Sequence, residues 1–256
     1  DNPSIRTSDQ KIQELSASHT DILVSSCKYY TKYVVRGAFA HKGECLECGM
    51  PRNDELVNNH DNKTAAYIRK YYNIPADNKI ILYAPTYRKG KRNEATDYNV
   101  DVRGIVEAAK ERFGGEWTIL YRMHYFIKKR LPADTKGQHI IDVTDYGDMQ
   151  DLLLAADILI TDYSSSVWDY SLLKRPCFLY TTDLDEYLET QGFYVDVRDW
   201  PFPLAKNNAA LVDNIAHFDE EQYLKDVHKH HTDLGSFDNG NATETISKRI
   251  LQECQK

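Results

Sequence analysis

A chain of 256 residues with 41% hydrophobic side chains carries enough apolar mass for one and a half or two domains. Its 32 Lys and Arg against 39 Asp and Glu give a net charge of −7, which argues against a dedicated nucleic-acid binder but leaves room for a local basic groove. The five cysteines, Cys27, Cys45, Cys48, Cys177 and Cys254, are odd in number and loosely spaced, so a reducing cytoplasm is expected rather than a disulfide framework. No apolar run reaches the roughly 18–20 residues that span a bilayer, and no signal peptide opens the chain. The chain starts at Asp1 in polar sequence, and the expectation is a piece of a longer protein.

In chain order, Asp21 to Ser26 reads as a short buried strand, Lys28 to Phe39 as a helix and Glu44 to Leu46 as a second strand. The turn Gly49-Met50-Pro51-Arg52-Asn53-Asp54 follows, with Asn53 or Asp54 placed to cap the next helix. Asn62 to Tyr72 is helical and is broken at Asn73 to Asp77. A regular alternation then begins. Strands are predicted at Lys79–Ala84, Trp117–Tyr121, Gln138–Val143, Asp157–Ile160 and Pro176–Tyr180. Helices are predicted at Val102–Phe113, Met149–Ala156 and Ser165–Leu173, then at Asn207–Phe218, Glu220–His230 and Asn241–Cys254. Lys89 to Thr96 is the most loop-like stretch. Apolar strands alternating with amphipathic helices predict a doubly wound α/β domain around a parallel sheet covered on both faces.

Ligands of open parallel sheets sit beyond the carboxyl ends of the strands, so the polar residues there are the candidate site. Pro85-Thr86-Tyr87-Arg88 follow the first strand of this unit, Arg122-Met123-His124 the second, and Thr161-Asp162-Tyr163-Ser164-Ser165-Ser166 the fourth. A strand, a hydroxyl-rich turn and a helix leave backbone N–H groups and hydroxyls able to hold a phosphate, while the plainer reading makes Ser164 or Ser165 a helix cap. Arg88 and Arg122 suit bidentate phosphate contacts or, equally, surface ion pairs. His124 could take a proton from an acceptor hydroxyl or stabilise a leaving phosphate. His41, Cys45 and Cys48 lack a fourth partner at metal-site spacing, and His228, His230 and His231 read as a solvated face. No phosphate-binding loop, dinucleotide fingerprint or metalloprotease motif occurs, so neither cofactor nor metal is expected.

As an ordered set, these motifs resemble the CDP-glycerol glycerophosphotransferase family, the teichoic-acid primases and polymerases and related capsule polymerases. The resemblance rests on Gly49 to Asp54, Leu82 to Arg88, Arg122-Met123-His124, Thr161 to Tyr170, Leu172 to Pro176, Gln191 to Asp196 and Phe237 to Ala242. It implies a GT-B-like fold of two Rossmann-type lobes. Residues 1–60 would then end an acceptor-side lobe, and residues 61–256 would form the donor lobe with its C-terminal helices. It implies transfer of glycerol or ribitol phosphate from a CDP-activated donor to a hydroxyl of a polymer or lipid-linked acceptor, releasing CMP, at the cytoplasmic membrane face and without nucleic acid. His124 matches the family's donor-lobe histidine and would be catalytic. Thr86, Arg88, Arg122, Thr161, Asp162, Ser164, Ser165, Ser166 and Asp169 would bind the donor. The family's His-Gly-Thr motif does not occur and is expected upstream of Asp1; Gln191 stands where the family often has Arg. A sugar-nucleotide glycosyltransferase of the same fold, with Asp169 reading the sugar, and a non-catalytic nucleotide-binding module are the alternatives.

Overall fold

A computed structural model describes residues 9–58, 62–86, 100–123, 139–190 and 193–255. Arg88, His124, Gln191 and the stretch Lys89 to Thr96 lie outside the described residues. The chain divides into two compact units, residues 1–58 with 228–256, and residues 59–227. The sequence places the C-terminal helices with residues 61–256; the structure groups residues 228–256 with the first unit.

The first unit opens with α1 (Asp9–Ser18), which the sequence reading does not anticipate. β1 (Ile22–Ser25) and β2 (Glu44–Glu47) pair in parallel, with Leu23 opposite Cys45. Between them α2 (Lys28–Tyr30) runs on into a wider helical turn over Thr31–Ala38. Phe39 N donates to Val34 O, five residues back, at 2.9 Å. That widening turns Val35 fully inward. His41 is buried, with its ring nitrogens at the carbonyls of Glu44 and Ala17. Pro51 then starts a tight turn leading into α3 (Asp54–Asn58).

The second unit contains α4 (Lys63–Tyr71), β3 (Asn78–Tyr83), α5 (Val102–Phe113), β4 (Glu116–Tyr121), β5 (Ile140–Asp142) and α6 (Met149–Ala155). It continues with β6 (Ile158–Thr161), α7 (Ser166–Ser171), β7 (Cys177–Tyr180), α8 (Leu184–Thr190), β8 (Leu204–Ala205) and α9 (Asn208–Ala216). The six strands form one parallel sheet in the order β5-β4-β3-β6-β7-β8. Every residue of β6 and β7 is buried, as expected of central strands covered on both faces. α5 packs with α9, and α4 packs with α6. Asp101 caps α5 by accepting from Gly104 N, and Gly114, at φ +69°, ends it. β8, with two residues, is too short to show a periodicity, and the sequence reading does not anticipate α8.

α10 (Glu220–Leu234) runs four residues beyond its predicted end and stops at Gly235, whose φ of +63° ends the helix. The chain then returns along the first unit. Gly235 O accepts from Lys28 N, and Phe237 N donates to Ser26 O. The two family-like motifs near residues 50 and 240 meet here. Asp238 Oδ1 accepts from Met50 N at 2.9 Å and from Asn53 Nδ2 at 3.1 Å. Gly49 sits at φ +89°, and a Cβ there would lie 2.9 Å from Asp238 Cα, so both backbone shape and close approach require glycine. Asp54 does not cap its own helix, as the sequence suggests. Its carboxylate caps α11 (Ala242–Cys254), accepting from Ala242 N at 3.0 Å and Thr243 N at 2.6 Å. Glu44 pairs with Arg249 along the same helix.

This clasp joins residues about 185 positions apart and is built from hydrogen bonds whose loss strands partly buried donors. Asp238→Ala is expected to destabilise the protein by about 1–3 kcal/mol in denaturant unfolding. Asp54→Ala, which removes the cap of α11, is expected to cost about 1 kcal/mol. The unit also stores a pH dependence. Burial, with His231 beside it, pushes His230 down to about 4 from its ordinary 6.5. The unfolded chain therefore takes up this proton first as pH falls. Stability should be full above about 6.5 and decline towards 4, and His230→Gln should flatten that decline in thermal melts at stepped pH.

Candidate functional site

From β3 the chain adds β4 and β5 on one side, then crosses back to lay β6, β7 and β8 on the other. The strand order reverses between β3 and β6, and in open parallel sheets such a switch point is where a ligand crevice lies, at the carboxyl edge. Ala84 to Thr86 form one wall and Thr161 to Ser166 the other. The walls are stitched together at their roots. Ala84 N donates to Ile160 O at 3.0 Å, and Thr161 Oγ1 donates to Ala84 O at 2.7 Å. Asp162 Oδ1 and Oδ2 accept from Thr86 N at 2.9 and 3.1 Å, and Oδ1 also accepts from Tyr163 N at 2.7 Å. Thr161 is fully buried and Asp162 is 2% exposed. Both work on the protein's own backbone.

The serine run divides into two roles. Ser164 Oγ accepts from Ser166 N at 3.3 Å and lies 2.9 Å from Ser166 Oγ, tying the first turn of α7. Ser165 occupies the N-cap position but makes no side-chain cap bond, and it is exposed. Of the three serines it is the exposed one, Ser164 being half-buried and Ser166 buried. Asp169, 6% exposed, accepts from Gln150 Nε2 at 3.1 Å, which ties α7 to the start of α6. A carboxylate so enclosed is poorly placed to read a sugar. Further along, Lys174 at φ +57° ends the helical turn after α7, and Arg175 Nη1 donates to Leu154 O and Ala156 O at the end of α6. The Leu172 to Pro176 motif is therefore accounted for by packing.

Arg122 stands at the end of β4. Its Nη1 donates to Tyr146 O at 2.7 Å, and it forms no ion pair with any described carboxylate. Burial pushes its guanidinium below the ordinary value, with Tyr72 and Asp148 acting weakly the other way. Arg retains its proton regardless, so the direction reflects a cation partly stripped of water, with no described carboxylate at ion-pair distance. The sequence reading missed the loop that receives it. Met123 N donates to Thr144 Oγ1, Asp148 caps α6 through Gln150 N, and the ring of Tyr146 packs against Tyr71 and Tyr72. An Asp followed two residues later by the first turn of a helix was the available signal.

The structure thus brings Thr86, Thr161, Asp162, Ser164, Ser165 and Ser166 together at the two walls of the crevice. Arg122 sits at the end of the next strand, β4, and Asp169 lies inside α7. Against known proteins, the family model described as CDP-Glycerol:Poly(glycerophosphate) glycerophosphotransferase matches residues 1–252. The chain belongs to this family. It is 35% identical over 91% of its length to a teichoic acid glycerol-phosphate transferase of Staphylococcus aureus. It is also 35% identical over 93% of its length to a teichoic acid poly(glycerol phosphate) polymerase of Staphylococcus epidermidis. Among solved structures it matches the wall teichoic acid polymerase TagF, in a variant soaked with CDPG, at a TM-score of 0.80 and 32% identity over 99% of this chain. The fold is therefore GT-B-like. The chain spans 60% of the S. aureus relative, 34% of the S. epidermidis one and 63% of the TagF chain.

The division of labour among the serines is measurable. Ser164→Ala should lower stability by about 1 kcal/mol, because Ser166 N loses its acceptor, while Ser165→Ala should leave the denaturation midpoint unchanged.

Proposed function

We propose that this chain forms the donor-binding part of a transferase that moves a polyol phosphate, glycerol or ribitol phosphate, from a CDP-activated donor to a hydroxyl of a cell-wall or capsule polymer. Family membership and the TagF likeness support the reaction class. The observation that carries the site is Arg122: a half-buried cation with no ion-pair partner among the described carboxylates, at the end of the strand next to the switch point. A diphosphate supplies the charge that this cation lacks.

In this reading Thr86, Arg88, Arg122 and the Ser164–Ser166 turn hold the donor diphosphate. The acceptor hydroxyl oxygen attacks the phosphorus that bears the polyol. A new P–O bond forms, the bond to the bridging oxygen breaks, and CMP leaves with the electron pair. The hydroxyl proton passes to a base outside this chain, and His124 assists at the transferred phosphate. The catalysis is electrostatic, placing cationic groups and backbone N–H groups where negative charge builds on the phosphates. Residues 1–58 would belong to the acceptor-side lobe, and residues 59–227 to the donor lobe. The acceptor is a growing polymer or a lipid-linked chain, met at the inner face of the cell membrane; among the described residues no helix is long and apolar enough to cross one.

CDP and CMP should raise the thermal midpoint of this chain, and uridine and guanosine nucleotides should not. In a full-length protein supplied with CDP-glycerol and with CDP-ribitol, His124→Ala should abolish polymer synthesis. Retained synthesis would remove the catalytic role given to His124, and turnover of UDP- or GDP-sugars alone would overturn the donor class.

A further inference from the structure

We infer that Asp162 is a positioning residue: it sets the spacing of the two crevice walls and reaches the donor only through them. The inference rests on the donor site proposed above and gives Asp162 a role different from direct contact. Its carboxylate is 2% exposed, and both oxygens are engaged by backbone N–H groups, two contacts from Thr86 and one from Tyr163. A bare carboxylate beside a diphosphate would repel it. Enclosed and hydrogen-bonded, the charge is satisfied by the protein instead.

The bond between Asp162 and Thr86 N crosses the point where the strand order reverses. The main chains of the β3 and β6 loops are tied beside it by two further bonds, Ala84 N to Ile160 O and Thr161 Oγ1 to Ala84 O. Both of those lie deeper, at the strand ends. The tie made by Asp162 lies beyond both. It fixes Thr86, the last described residue before the segment that carries Arg88 in sequence, relative to Tyr163 and the serine turn. One side chain thereby sets two phosphate-facing walls at once. Oδ1 alone reaches both Thr86 N and Tyr163 N, so an amide that keeps its oxygen there retains both contacts and loses only the second, longer one to Thr86 N.

The test is CDP titration into the wild type, Asp162→Asn and Asp162→Ala, well below each protein's thermal midpoint, with amide exchange at Thr86 followed in parallel. Asp162→Ala is expected to stay folded, to weaken CDP binding by about 10- to 100-fold and to speed exchange at Thr86. Asp162→Asn should recover most of the affinity. Wild-type affinity in folded Asp162→Ala would overturn the inference and leave Asp162 as a stability residue only. An Asn variant as weak as Ala, with Thr86 exchange still slow, would also overturn it, since that pattern belongs to direct contact. Failure of the wild type itself to bind CDP would instead sink the donor reading.

Discussion

The reversal of strand order between β3 and β6 is the constraint on which the proposed site depends. A parallel sheet that grows in one direction covers the carboxyl end of each strand with the next crossover. Where growth reverses, two adjacent strands send their chains apart, and the edge between them stays open. The described residues proposed to face a ligand, Thr86, Arg122 and Ser164 to Ser166, lie at this switch point or at the end of β4 beside it. The apolar runs of β3, β6 and β7 make the arrangement rigid, because strands buried on both faces cannot slip without exposing Ile and Leu side chains to water.

At that opening the sequence places two kinds of polar residue, and the structure separates them. Thr161, Asp162 and Asp169 are spent on the protein, holding loop to loop and helix to helix. Ser165 and Arg122 are not spent: one hydroxyl makes no cap bond, and among the described residues the cation meets a carbonyl and no carboxylate. The first group resembles the second in sequence because both consist of small or charged residues at a strand end. Only burial and hydrogen-bond partners tell a residue that builds the cradle from one that faces its occupant.

The same separation explains what was legible beforehand. The alternation of apolar strands and amphipathic helices from β3 to β7 is a local signal, and the parallel sheet follows from it. β8, with two residues, and α1, with a mostly polar repeat, carry too little periodicity to be seen. Asp54 shows a different limit. Its place before a helix suggests a local cap, yet it caps α11 across 188 residues of sequence, a pairing that only the folded chain brings about. Arg122 could be named from its position in the sequence, but its lack of an ion pair with any described carboxylate, which gives it meaning, is a property of the three-dimensional surroundings.

The central claim is that the carboxyl edge of the second unit binds a nucleoside diphosphate through Arg122, a half-buried cation with no ion pair among the described residues. Calorimetric titration of CDP into the wild type and into Arg122→Ala tests it most directly. Arg122 is only half-buried, so the variant should melt at or above the wild-type temperature, relieved of an unrepaid charge, while losing about tenfold or more in CDP affinity. Equal CDP affinity in the two proteins would contradict the claim, because the cation would then have no part in holding the diphosphate.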